Sequence, residues 1–133
     1  MKIRHRVVAI IIKDKKILFV RGKGYPELWT PGGKTEEGEN EEKTLRRELK
    51  EEVNLNLKTI KFFKKYFLKS PYSDDWMTET KCFLVEAEGE VKTAKEIESF
   101  IWFSKEDFLQ KKYLMIEENE KFLIPDLIKE GLL

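Results

Sequence analysis

The sequence predicts an α/β domain. Three observations carry that reading. Runs rich in β-branched and aromatic residues recur at 3–12, 17–21, 58–68 and 77–87. The segment 41–53 has instead the 3.6-residue spacing of a helix, with Leu45, Leu49 and Val53 in one strip. Further helical segments stand near the C-terminal end. Strands interleaved with helices of this length pack as helices on a sheet.

Each element has a local cause. The first two strands are separated by 13–16, where Asp14 marks a hairpin turn. A loop at 22–26 leads to a short strand at 28–30, which ends at Pro31-Gly32-Gly33. Asn40 is an N-cap for the helix, and Glu41 and Glu42 sit in its first turn, where the helix dipole favours acids. Asn54 tolerates the left-handed conformation that ends a helix. The two long strands are joined by a polar, aromatic loop at 70–76. A short strand at 100–103 precedes Ser104, which with Asp107 forms a capping box for a helix at 105–111. The last helical segment, 117–129, is interrupted or restarted at Pro125.

Composition excludes several functions. The 133 residues are read as one domain, 1–133, long enough to bury roughly two-thirds of the unfolded surface. With 41% hydrophobic residues the chain is not disordered. A net charge of +1 gives no reason to expect a membrane surface or a stable nucleic-acid partner. The apolar run 7–12, preceded by Arg4 and Arg6, is too short to span a membrane or to serve as a signal-peptide core. Cys82 is the only cysteine, so no internal disulfide forms, and a cytoplasmic location is expected. Cys82 itself reads as a small buried hydrophobe, and His5 as a strand residue.

The helix at 41–53 carries the chemistry. Glu48, Glu51 and Glu52 fall within an arc of about 100° beside the leucine strip. A solvated, salt-bridged face is the ordinary reading of such charge. Glu42 with Arg46 and Arg47 with Glu51 are indeed favourable i,i+4 pairs, worth about 0.2–0.5 kcal/mol each. Glu48 and Glu52, however, are a like-charge i,i+4 pair that costs a similar amount, and Glu51 adds a second repulsion. A divalent cation reverses that cost, because hard cations prefer carboxylate oxygen.

The residues before the helix sharpen this. Gly33 is followed after five residues by Glu39, then after seven by Arg47-Glu48-Leu49, one residue, Glu51-Glu52, one residue, and Asn54-Leu55. This pattern resembles the Nudix box, the defining motif of the Nudix hydrolases, to which MutT-like enzymes belong. Asn54 stands where the box has glycine; it keeps the left-handed tolerance needed there. The flanks 28–33 and 102–104 also resemble the family.

The resemblance implies a Nudix-type α/β/α sandwich around a mixed β-sheet. It implies a hydrolase that cleaves the pyrophosphate linkage of a nucleoside diphosphate derivative, with Mg²⁺ or Mn²⁺. A nucleoside triphosphate or dinucleoside polyphosphate is favoured; ADP-ribose, a nucleotide sugar, or a non-catalytic nucleotide-binding role are the alternatives. By position, Glu48 and Glu52 are implied as principal metal ligands, Glu51 as a further one, and the Gly32 carbonyl as completing the site. Arg47 is implied to hold the glutamates, and Glu39 to brace the loop. Outside the box, Glu98 and Glu96 are the expected bases, ahead of Asp74, Asp75 and Glu79. Arg21 is the expected phosphate contact. Tyr72 and Trp76 are the expected base-stacking surfaces, and Trp29 is expected in the core. The partner is then a small nucleotide, and the protein a monomer or homodimer.

Overall fold

A computed structural model describes residues 2–70 and 73–133. The strands are β1 (Lys2–Ile10), β2 (Ile12–Lys13), β3 (Lys16–Gly22), β4 (Gly32–Gly33), β5 (Asn56–Lys69), β6 (Trp76–Glu88) and β7 (Ile97–Ser104). The helices are α1 (Glu41–Val53), α2 (Lys105–Leu109) and α3 (Ile124–Lys129), the last preceded by a π-helical turn, Asn119–Leu123.

Among the described residues, one sheet runs β4-β1-β6-β5 and a second runs β2-β3-β7. The first is mixed, because β1 pairs with β6 in parallel and the other pairings are antiparallel. Side chains alternate across β1. Val7 and Ala9 join Leu45, Leu49 and Val53 of α1 in one core. Val8 and Ile10 point the other way, into a second core with Leu123, Ile124 and Leu127. The sheet layer is thus covered by α1 on one side and by the C-terminal helical segment on the other. This is the mixed α/β/α sandwich expected.

The local expectations for α1 hold. Asn40 Oδ1 accepts the Lys43 N–H at 2.9 Å, and Asn54 closes the helix in the left-handed region (φ 61°). The Ser104–Asp107 capping box forms in both directions, at 3.1 and 3.0 Å. The hairpin after β2 turns through Asp14 and Lys15, both with positive φ.

Three expectations change. The stretch 28–30 makes only single bridges, Val20 with Trp29 and Leu28 with Met115; the paired residues are Gly32 and Gly33. Trp76 is the first residue of β6, in register with Lys2, and no longer part of the loop. The C-terminal segment contains a π turn just before Pro125. Proline has no N–H and its ring crowds the carbonyl four residues back, so the ladder widens there. Among the described residues no helix is long and apolar enough to cross a membrane.

Candidate active site

Two glycines allow the box loop to pass against β1. A Cβ on Gly32 would lie 2.2 Å from the Val7 carbonyl oxygen, and Gly32 has a φ of +149°. A Cβ on Gly33 would lie 2.7 Å from Glu48 Oε1. The loop therefore brings backbone directly onto the acidic edge of α1.

Glu52 is the deepest of the box acids, 5% exposed. Its Oε1 accepts the Gly32 N–H at 3.0 Å. Burial pushes its carboxyl up to about 8; the Gly32 bond and the charge of Arg6 pull it down, while Glu48 and Glu96 push it further up. Glu48 is also raised, by burial, and Arg47 opposes that rise.

Arg47 organises the rest. Its Nε and Nη2 donate to the two oxygens of Glu39 at 2.8 and 3.0 Å. Nη1 donates to Glu48 Oε1 at 2.7 Å, and Nη2 also donates to the Lys34 carbonyl at 3.2 Å. This fork holds the Glu39 carboxyl down at about 2. Glu39 Oε1 in turn accepts the Glu36 N–H at 3.0 Å, so Glu39 closes its own loop. Arg47 thus bridges Glu39 and Glu48, and Glu39 links Arg47 to the Glu36 backbone.

The three carboxylates have different partners. Glu48 is turned to Arg47, and Glu51 lies 3.1 Å from Lys95 and 3.6 Å from Arg47. Among the described residues no three acids, histidines or cysteines are grouped closely enough to hold a metal ion. The donor set nevertheless suits a hard divalent cation. Glu52 is a buried carboxylate whose one hydrogen bond comes from a backbone N–H, and Glu48 is an acid in contact with one cation.

The two acids expected outside the box, Glu96 and Glu98, take different places. The β3–β7 register shifts at Arg21/Gly22, so that Arg21 pairs with Ser99 and Gly22 with Ile97. Glu98 is the extra residue of that bulge. It lines a shallow cleft with Arg21, Tyr25, Pro26 and Lys112. Glu96, by contrast, is close enough for its charge to raise both Glu48 and Glu52. Arg21 donates from Nε to the Pro26 carbonyl at 3.1 Å and faces Glu98's cleft.

A second, more enclosed cleft, of about 540 Å³, opens on the other face of the sheet. Its lining includes Arg4, Arg6, Trp29, Tyr25, Thr78 and Glu118. Trp29, expected in the core, is half-buried: its ring packs on the α1 core, stands edge-on to Tyr25 at 5.6 Å, and walls the cleft. Trp76 stands near this region, under Lys2 at 5.4 Å and Arg4 at 5.9 Å. Tyr72 lies outside the described residues. Glu79 is bound to His5 at 3.1 Å, far from the box in sequence and on the opposite sheet face from Arg4 and Arg6.

Arg6, Tyr25 and Glu118, which line the cleft, and Asn119 next to Glu118 were not singled out from sequence. Arg6 alternates with apolar residues on β1, and only strand parity could have flagged it. Glu118 is nearly buried and its carboxyl is raised by that burial. Asn119, 1% exposed, directly follows it, and neither its Nδ2 nor its Oδ1 finds a hydrogen-bond partner among the described residues. Tyr25 lay in a segment read only as loop.

The NUDIX domain family matches residues 3–124. This chain belongs to that family. An 8-oxo-dGTP diphosphatase of Buchnera aphidicola subsp. Schizaphis graminum is 47% identical over 75 residues, which is 52% of this chain and 58% of that protein. The match thus spans little more than half of the relative. The solution structure of the E. coli ORF135 protein superposes with a TM-score of 0.77 at 24% identity, over 98% of this chain and 93% of that one. The MutT structure from Aliivibrio salmonicida and Vibrio cholerae gives 0.76 at 22% identity, over 97% and 99%. A MutT NUDIX hydrolase from Burkholderia pseudomallei gives 0.70 at 23%, over 78% and 84%. These likenesses establish the Nudix fold.

Proposed function

We propose that residues 1–133 act as one catalytic unit, hydrolysing the pyrophosphate linkage of a purine nucleoside triphosphate. The observation that carries this is the Glu52–Gly32 contact. A carboxylate buried against a glycine N–H at the foot of the box has its pKa raised to about 8, and that is an arrangement completed by a cation. Glu52, Glu48 and Glu51, with the Gly32 carbonyl, would hold Mg²⁺ or Mn²⁺. The ion supplies charge neutralisation on the phosphate oxygens and a more acidic water.

The chain's own residues do the rest. Arg47 fixes the direction of Glu48 while Glu39 fixes Arg47. Gly32 fixes Glu52. Glu96 is the acid in reach of the box to take the proton of an attacking water; Glu98 is set aside for that role. The nucleoside occupies the cleft of Trp29 and Tyr25, with Arg6 between base and box.

Asn119 supports a purine. An amide offers a donor beside an acceptor, which matches the N6–H/N7 edge of adenine and not the paired acceptors O6/N7 of guanine. Oxidation of guanine at C8 places a proton on N7 and restores a donor beside an acceptor. The named activity of the Buchnera relative is in keeping with that reading. The test is hydrolysis of dATP, dGTP and 8-oxo-dGTP with Mg²⁺ in ¹⁸O-labelled water. Label in a phosphate product and a kcat/KM for 8-oxo-dGTP well above that for dGTP are expected. Label-free phosphate products would overturn attack at phosphorus.

A further inference from the structure

Lys2, Arg4 and Arg6 stand in register with Trp76, Thr78 and Thr80 across the parallel β1–β6 pairing. Partners in register share a face, so all three cations are on the cleft side of β1. Arg4, Arg6 and Lys69 line the cleft itself. Among the described residues, none of these four side chains makes a hydrogen bond or an ion pair; Lys2 and Arg4 rest only on the Trp76 ring. Neighbouring lysines behave differently. Lys58, Lys64, Lys65 and Lys81 each find a carboxylate within 4 Å.

The acids on the opposite wall do not cancel this charge. Glu117 is engaged by Lys121 at 3.5 Å, and burial holds Glu118 towards its neutral form. Charge along a strand edge can also serve only to prevent edge pairing, and β4 covers β1 only at Val7 and Val8. That purpose is indifferent to which face carries the charge. Here Ile3 and His5 take the far face and every cation takes the cleft. A cleft lined by one sign gathers counter-ions.

The row has a direction. Val7 and Val8 pair with Gly33 and Gly32, and Arg6 directly precedes them on β1, so the inner end of the row is at the box. Arg4 is two residues further out, roughly 7 Å along the strand. Trp76 stands beyond it. A nucleotide whose pyrophosphate lies at the box passes Arg6 and turns the far side of its sugar to Arg4.

We propose that Arg4, flanked by Lys2, is an anion subsite for a second phosphate on the 3′ side of the sugar. The favoured substrate is then a nucleoside 5′-polyphosphate that is also 3′-phosphorylated, either as a mononucleotide or as the first residue of a short chain. The inference rests on the proposed nucleotide site for its orientation.

Binding of 5′-AMP, adenosine 3′,5′-bisphosphate and the dinucleotide pApA, followed by two-dimensional NMR in metal-free buffer, tests it independently of catalysis. The bisphosphate should bind roughly tenfold or more tightly than 5′-AMP, the size of one charge-assisted hydrogen bond, and salt should reduce the difference. It alone of the two mononucleotides should move the Trp76 indole N–H signal. Arg4→Gln, folded by its amide spectrum, should abolish the preference, and Glu48→Gln should keep it. If pApA matches the bisphosphate, a chain is accepted; if it binds more weakly, a terminal phosphate is required; both support the subsite. Equal affinity for 5′-AMP and the bisphosphate, or a preference that survives Arg4→Gln, overturns it. Failure of triphosphate hydrolysis with the binding preference intact would count against the proposed reaction alone.

Discussion

The Gly32 N–H and the Glu52 carboxylate meet at 3.0 Å across twenty positions of sequence. The bond ties the box loop to the last full turn of α1. It also sets an acid where burial makes its charge costly, so its substitution separates stability from catalysis.

Glu52→Gln should keep the fold, because the amide oxygen still accepts the Gly32 N–H and the repulsion with Glu48 is gone. Activity should fall by roughly 10²–10⁴, as expected when a cation ligand of the transition state is lost. Circular dichroism and steady-state kinetics read the two effects. A fully active variant contradicts the assignment of Glu52.

The same carboxyl predicts a pH dependence. Its ordinary value is 4.5, and in the fold it is about 8. Between those values the folded chain holds a proton that the unfolded chain has released. Stability of the protein in chelator should therefore fall as pH rises from about 4.5 to about 8, then level off. The loss is on the order of a few kcal/mol at most. Glu52→Gln should flatten this limb, and an unchanged slope in urea melts would locate the titration elsewhere.

Arg47→Lys tests the fork. A lysine carries the charge but cannot reach both Glu39 oxygens and Glu48 together. A loss of about 1–3 kcal/mol in denaturant melts is expected. Activity should fall further than stability alone explains, since Glu48 loses its orientation. Stability equal to that of the parent would show the fork to be ornamental.

Gly33→Ala should act differently from Gly32→Ala. At Gly33 the added methyl meets the end of the Glu48 side chain, which can move. The variant should fold with little change in melting temperature but lose activity. At Gly32 the methyl meets the Val7 backbone at 2.2 Å, which cannot give way. That variant should fold poorly. Similar behaviour of the two in parallel melts would refute the distinction.

Much of this site was legible before the structure because its causes are local. The α1 cap, its left-handed end and the capping box at Ser104 follow from short-range chemistry in a few adjacent residues. Holding of the glutamates by Arg47 and bracing of the loop by Glu39 were implied by the resemblance to the box, but the fork that joins the two residues was not. The difference between Glu96 and Glu98 has another origin. A one-residue bulge in β7 breaks the parity between positions 96 and 98, and nothing in the sequence around Trp102 announces it. The cleft side chains depended on strand parity and on a π turn caused by Pro125, both of which need the tertiary partner. Helical angle placed Glu48, Glu51 and Glu52 on one arc, but it fixes where a side chain starts and not which cation it reaches.

Asn119 offers the sharpest test of the nucleoside site. Its side chain is buried with both amide atoms unpartnered among the described residues. A buried polar group without a partner costs about 1–3 kcal/mol. If its only purpose were structural, its removal would be harmful or neutral for everything measured. If instead it waits for a base edge, Asn119→Leu should leave stability equal or slightly higher, since a similar volume is kept and the unmet polar atoms are removed. KM for a purine nucleoside triphosphate should then rise by roughly tenfold with kcat nearly unchanged, because the lost contact is made equally in the ground and transition states. Any preference for 8-oxo-dGTP over dGTP should shrink with it. A destabilised variant with an unchanged KM would make Asn119 part of the core and move base recognition to Trp29 and Tyr25.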